Sequence, residues 1–321
     1  MTTTTAMEEY LGRFEKNRSR RPPRDALVYA AGNEFFSPEM HLAYNAAPYI
    51  FAGEHIRTLA ESPVRLLELG CGTGFETSYL KERFAPGTSI TGIDRVPGLV
   101  RYAAENYSRP GLRFLTADAG GLPFADGSFG MVIGIYSIIH TMTRRDAGSC
   151  LAETIRVLKP GGTLIFTTPN RKLSHDVYHE NPDNDPDLFI CHLLRREYDR
   201  EELRALLSPF LGDAGACFEE LSIDCLANES FRPVIGEVLG AMARKRFREE
   251  RGEAPIPRFL RRTLPQGIKA RYFFRMVRKS CRRRGLSLRD IALGTRLHPE
   301  GAGAEADHFF VTARKAGKKG S

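Results

Sequence analysis

The centre of the chain is a series of short apolar runs separated by longer stretches of mixed polarity. Residues 66–69, 89–93, 112–115, 131–136 and 163–167 are apolar over four to six positions, the length and composition of strands. The run 131–136 is apolar at nearly every position, as expected of a parallel strand covered on both faces. Between these runs lie helical stretches, including residues 76–83 and one that ends at Pro160 and Gly161. Strands alternating with helices predict a parallel sheet. Further on, residues 198–207 place Leu203, Leu206 and Leu207 on one helical face, with Asp199 as the cap. Residues 217–226 and 307–314 read as two more strands, the second carrying His308, Phe309, Phe310 and Val311.

This pattern divides the chain into five stretches. Residues 1–25, with Thr2–Thr5, an arginine cluster and Pro22-Pro23, read as a mobile tail. Residues 26–61 mix aromatic and small residues, and Ser37-Pro38-Glu39 reads as a helix start, so a helical lid is expected there. Residues 62–228 hold the α/β core, 229–305 a basic helical insertion, and 306–321 the last strand and a basic tail.

The first strand runs into a glycine loop: Leu66-Leu67-Glu68-Leu69-Gly70-Cys71-Gly72-Thr73-Gly74. A strand turning sharply into a helix offers free N–H groups and a positive dipole end to a ligand, and glycines let that ligand approach the backbone. A dinucleotide loop needs glycine at the sixth position of Gly-x-Gly-x-x-Gly. Phe75 and Thr77 stand at that position in the two possible registers, so the dinucleotide form fails. The second strand ends at Asp94, followed by Arg95; an acid at that point of a doubly wound sheet hydrogen-bonds a ribose diol.

The loop, the acid at Asp94, the segment Thr116-Ala117-Asp118-Ala119, the run 131–136 and Leu158-Lys159-Pro160-Gly161-Gly162-Thr163 occur in order over residues 64–170. Together they resemble the class I S-adenosylmethionine (SAM) methyltransferases, and within them the type-11, ubiquinone/menaquinone-biosynthesis-like small-molecule enzymes. The resemblance implies an α/β, Rossmann-like sheet of seven strands, six parallel and one antiparallel. Helices would cover both faces, with a helical insertion between strands 6 and 7. It implies SAM as cofactor, held by Glu68, Gly70, Cys71, Gly72, Gly74, Asp94, Arg95, Asp118, Ala119 and Tyr136. In it Glu68 and the loop amides hold the methionine end, Asp94 the ribose, and Asp118 with Ala119 the adenine. One departure stands out: Gly130 occupies a position where that family usually has Asp.

Charge adds a second feature. The chain of 321 residues carries a net charge of +8, and residues 231–290 hold 18 Lys/Arg against 5 Asp/Glu, so the remainder is net negative. Basic residues there are interleaved with Phe259, Tyr272, Phe273, Phe274, Met276 and Val277. Such a segment fits a helical cap over an apolar acceptor, with an outer face for an anionic membrane or for nucleic acid. The nucleic-acid option is disfavoured because Tyr136-Ser-Ile-Ile-His140 replaces the Asn/Asp-Pro-Pro-Tyr motif of adenine-modifying enzymes.

Six scattered cysteines without a Cys-x-x-Cys pair speak against zinc or disulfides and for a reducing, cytoplasmic setting; Cys71 reads as a small filler. No apolar run is long enough to span a bilayer, and no secretory leader is expected. His175 and His179 have metal-ligand spacing in a polar loop, for which solvation is the simpler reading and no metal is expected.

The candidate catalytic residues are His140, Tyr136 and His41, with Tyr44 nearby; a histidine can take a proton near neutral pH. The expected function is methyl transfer from SAM to the oxygen, nitrogen or carbon of a small-molecule acceptor. Rival readings are an RNA methyltransferase, a SAM-binding protein without transfer, and a NAD-type oxidoreductase.

Overall fold

A computed structural model describes residues 2–17, 38–59, 64–139, 142, 144–170, 188–190, 193–195, 198–211, 217–238, 240–241, 266–299 and 307–317. The strands are β1 (Arg65–Leu69), β2 (Ser89–Asp94), β3 (Leu112–Thr116), β4 (Phe129–Gly134), β5 (Leu158–Pro169), a separate hairpin of β6 (Leu188–Ile190) and β7 (Leu193–Arg195), then β8 (Phe218–Asn228), β9 (Thr295–His298) and β10 (His308–Lys315). The main sheet runs β3-β2-β1-β4-β5-β10-β8-β9. Strands β1 to β5 are mutually parallel, and β10 lies antiparallel between β5 and β8.

The helices are α1 (Thr3–Asn17), α2 (Ala47–Leu59), α3 (Phe75–Arg83), α4 (Pro97–Tyr107), α5 (Arg144–Val157), α6 (Arg200–Leu207), α7 (Gln266–Arg283) and α8 (Leu288–Leu293). A short helix, Pro38–His41, and a π-helical turn, Leu42–Ala46, lead into α2. Alternation along the strands sorts the core into two layers. Leu66, Ile90, Met131, Ile133 and Phe310 face α1–α4, α7 and α8, whereas Leu67, Leu69, Val132, Phe166 and Phe309 face α5 and α6. Asp199 caps α6 through a reciprocal capping box with Glu202, as its spacing predicts.

Three expectations need correction. The sheet has eight strands, not seven: Thr295-Arg-Leu-His, inside the insertion, adds to the edge of β8 with Leu297 opposite Leu226. Four residues are too few for a legible period, and the Asn228 side chain fastens this strand by donating to Ile291 O (2.8 Å) and Thr295 Oγ1 (2.7 Å). Residues 3–17 are not a tail but helix α1. Ala6, Met7 and Tyr10 lie on one buried face of it, and Tyr79 OH donates to Ala6 O at 2.6 Å. The threonines and charges around this small apolar stripe hide it in the sequence. Strand β5 spans Leu158–Pro169 rather than 163–167, because Leu158 already pairs with Phe129, with the register shifting before Thr163 pairs with Met131.

The departure at Gly130 has a packing reason. A Cβ there would lie 2.7 Å from Val64 Cγ1. Gly130→Asp is therefore expected to lower stability by about 1–3 kcal/mol through overpacking, read as a shift in the denaturation midpoint; Val64→Ala in the same chain should recover most of the loss.

Candidate functional site

The carboxyl ends of β1, β2, β3 and β4 meet where the strand order turns outward in both directions from β1 and β4, the place where open α/β sheets bind ligands. The loop from Gly70 to Gly74 is wound with all three glycines in the left-handed region, at φ 72°, 53° and 78°. Gly70 and Gly74 are decided by space, a Cβ on Gly74 falling 2.8 Å from Ala103 Cβ. A Cβ on Gly70 would lie 2.3 Å from Ser137 Cβ, so the loop can pass beneath the segment that follows β4 only as glycine. A Cβ on Gly72 would meet nothing within 4 Å, so this bare stretch of backbone faces open space. Gly74 then caps α3.

Asp94 fastens this loop to the next strand. Its Oδ2 accepts from Gly72 N at 3.0 Å and its Oδ1 from Val96 N at 3.0 Å. Burial raises the Asp94 carboxyl above the usual carboxylate range, while those two backbone N–H groups pull it down. Cys71 N donates to Ile93 O at 2.8 Å, and Ala117 N to Asp94 O at 3.1 Å. The Cys71 thiol is buried, and burial raises it well above the ordinary thiol value, as befits a filler. Asp118 stands exposed after β3, its Oδ1 accepting from Gly120 N at 2.7 Å, with half-buried Ala119 beside it; Arg95 is exposed.

Beneath the loop lies a buried polar network. Period-two alternation puts Glu68 on the face of Leu66, where it has no exposure at all. Tyr49 on α2 donates to Glu68 Oε1 at 2.8 Å, whereas Glu68 Oε2 has no hydrogen-bond partner. Burial pushes the Glu68 carboxyl up to about 7, and the Thr77 and Tyr49 hydroxyls beside it offset this only in part. In the first turn of α3, Glu76 meets His41 Nε2 at 3.3 Å and accepts from Tyr10 OH at 3.2 Å; Tyr10 OH also lies 2.8 Å from His41 Nε2. Burial alone would raise Glu76, but its bonds to His41 and Tyr10 bring it below the ordinary value. His41 is thus held inside this network and stacked on Phe14, with ring centroids 4.6 Å apart. The sequence marks none of Tyr10, Tyr49 or Glu76; only the polar residue at Glu68 in an apolar strand signals that a partner must lie above it.

Tyr136 and Ile139 are the only non-glycine residues with left-handed backbone among those described, at φ 55° and 53°. Tyr136 N donates to Thr167 Oγ1 at 2.9 Å, Ser137 Oγ donates to Leu69 O, and Tyr136 OH is hydrogen-bonded to His308 Nε2. His308 reads in the sequence as a strand residue and not as part of a site. It opens β10 opposite Pro169 and Leu226, and with Ala43, Pro48, Leu226, Asn228, Thr295 and Asp307 it lines a narrow crevice with no room for a water molecule. His140 and the 171–187 loop with His175 and His179 lie outside the described residues, as does the side chain of Tyr44. Among the described residues no group of His, Cys, Asp and Glu is arranged to hold a metal ion, and no helix is long and apolar enough to cross a membrane.

Residues 66–162 match the family described as "Methyltransferase domain". Three curated relatives are similar over part of this chain. One is the phthiotriol/phenolphthiotriol dimycocerosates methyltransferase of Mycobacterium leprae, 34% identical over 45% of this chain and 51% of that one. The second is the fatty-acid O-methyltransferase of Mycolicibacterium smegmatis, 39% identical over 32% of this chain and 36% of the relative. The third is the demethylmenaquinone methyltransferase of Thermus thermophilus, 40% identical over 33% and 48%. The chain therefore spans about half or less of the length of these relatives.

Proposed function

We propose that this chain, whose residues 66–162 match a methyltransferase domain, is a class I SAM-dependent enzyme that transfers a methyl group from SAM to a small, lipid-like acceptor. The observation that carries the reading is the junction between Gly72 and Asp94. It sets an anchored carboxylate and open space above Gly72 at the carboxyl ends of β1 and β2. The residues present fit the cofactor. Asp94 keeps lone pairs for a ribose diol beyond those spent on Gly72 and Val96. Glu68 Oε2 is a buried acceptor with no partner, which an ammonium-bearing methionine end would satisfy. Asp118, exposed after β3, and half-buried Ala119 are available to bind the adenine.

SAM supplies an activated methyl on a sulfonium. The residues of this chain bind, align and exclude water, because an in-line displacement gains most from proximity. Helix α2 and its lead-in form the lid: Tyr49 sits over Glu68, His41 over Glu76, and Ala43 and Pro48 on the crevice. His41 acts here as a positioning residue for the floor of the loop.

The acceptor class is supported by relatives named for phthiotriol/phenolphthiotriol dimycocerosates, a fatty acid and demethylmenaquinone; they lend the RNA alternative no support. Helix α7 suits a lipid source. Val277 and Cys281 are buried against the body, while Arg275, Arg278, Lys279 and Arg282 are exposed. The protein is expected to co-sediment with phosphatidylglycerol vesicles at low salt and to be released at about 0.5 M salt, with little binding to phosphatidylcholine. Equal binding to both vesicle types would remove the electrostatic docking.

The reading itself is tested by titrating SAM and NADH separately into the apoprotein in a calorimeter. SAM is expected to bind and NADH not to. Heat from NADH with none from SAM overturns it, and S-adenosylhomocysteine formed with an added acceptor separates an enzyme from a mere SAM binder.

A further inference from the structure

Tyr136 and Ser137, just beyond β4, are tied to three other strands of the sheet. Ser137 Oγ donates to Leu69 O at the end of β1. Tyr136 N donates to Thr167 Oγ1 of β5 at 2.9 Å. Tyr136 OH is hydrogen-bonded to His308 Nε2 of β10, with the two ring centroids 4.8 Å apart. These strands are neighbours in the order β1-β4-β5-β10, so two residues link one end of all four. The glycine loop begins under the near end of this tie. A Cβ on Gly70 would fall 2.3 Å from Ser137 Cβ, so Ser137 rests directly on the first glycine. The tie is held at a cost, because Tyr136 sits at φ 55°, a left-handed conformation that a side chain disfavours. Such a conformation persists only where its surroundings enforce it. The far end supplies a firm anchor. His308 is buried and pairs with Pro169 on one side and Leu226 on the other. Just before it, Asp307 N donates to Leu226 O at 2.8 Å, Asp307 O accepts from Asn170 N at 3.1 Å, and Asp307 Oδ2 accepts from Asn228 N at 2.7 Å.

We propose that His308 is a positioning residue for the cofactor loop. Through the Tyr136 hydroxyl it holds residue 136 in its left-handed conformation, and so keeps Ser137 seated on Gly70 and Leu69 O before SAM arrives. This rests on the methyltransferase reading, which makes the loop a SAM site, and adds a determinant on a strand three places from β1. The gain is preorganisation: a loop already in its binding shape gives up less conformational freedom when the ligand enters. Without the imidazole, the backbone of Tyr136 relaxes toward an ordinary φ and carries Ser137 off the loop.

The test is calorimetry with SAM on the full chain carrying His308→Ala, Tyr136→Phe, both together, or His308→Gln, which puts an amide where Nε2 stood. Either of the first two is expected to raise Kd about tenfold, the scale of one lost hydrogen bond. The double variant should be no more than about twofold worse than either single, because both remove the same link. His308→Gln should stay within about threefold of the wild type. In the apoprotein, hydrogen exchange over residues 68–74 is expected to quicken in both single variants, with residues 218–228 of β8 unchanged. A merely structural histidine would loosen β8 as well, and would cost as much in a chain already lacking the Tyr136 hydroxyl. Additive losses, no loss, His308→Gln as poor as His308→Ala, or unchanged exchange over 68–74 overturns the proposal. If His308→Ala does not fold, Tyr136→Phe, which gives up a single hydroxyl, carries both readings, and added to His308→Gln completes the cycle. If the wild type does not bind SAM, it is the methyltransferase reading that has failed, and the exchange over 68–74 still decides whether His308 holds the loop.

Discussion

Asp94→Ala is expected to lower SAM affinity by about 100- to 1000-fold while leaving the fold intact. Two contributions add. The carboxylate is the group proposed to hold the ribose diol, and each hydrogen bond to a charged acceptor is worth about 1.5–3 kcal/mol. The same side chain holds Gly72 N and Val96 N, each at 3.0 Å, so its removal also frees the loop from β2. A combined loss of about 3–4 kcal/mol corresponds to two to three decades in Kd. The body of the sheet does not depend on Asp94, because β1 and β2 remain paired from Arg65 to Leu69. Calorimetry with SAM gives the affinity and circular dichroism the fold. Asp94→Asn, which keeps one acceptor, should fall between. An Asp94→Ala protein that binds SAM as well as the wild type would show that the nucleoside is not held here.

Glu68→Gln is expected to stabilise the apoprotein at pH 8 while weakening SAM. Glu68 is a carboxyl raised in the folded state, from 4.5 to about 7. The folded chain then holds this proton more tightly than the unfolded one. Stability is undiminished below pH 4.5, falls as pH rises from 4.5 to 7, and is lowest above 7. The full cost at pH 8 is about 3 kcal/mol, since each tenfold difference in proton affinity between the folded and unfolded chain is worth about 1.4 kcal/mol. Glutamine keeps an acceptor for Tyr49 and carries no charge, so the variant should melt several degrees higher at pH 8 and should lose this part of the decline as pH rises toward 7. A bound ammonium would compensate the same charge. SAM binding to the wild type near pH 6.5 should therefore release protons, seen as a dependence of binding heat on buffer ionisation, and the variant should release fewer. Unchanged pH dependence of stability in Glu68→Gln would remove Glu68 as its source.

These two carboxylates also show how unevenly the site can be read from the chain. Asp94 announces itself: it ends a short apolar strand at the right distance from a glycine loop. Glu68 is visible as a lone acid in an apolar run, but its partner is not, because Tyr49 comes from a helix with no motif. His41 looks like a free base in a linear reading, yet Glu76 and Tyr10 enclose it. His308 reads as one more position of the last strand until that strand is seen to start beside Tyr136.

Local order is written in the residues themselves. Period-two and near-continuous apolar runs define strands, the failed sixth-position glycine excludes a dinucleotide loop, and the cap at Asp199 starts α6, because each depends on neighbours only a few positions away. Three things needed the folded chain: the eighth strand, the docking of α1, and the meetings of Tyr49 with Glu68 and of Tyr136 with His308. Those pairs are separated by 19 and 172 positions. Such contacts arise where elements converge at one end of a sheet, and no periodicity along the chain encodes which side chains will meet there.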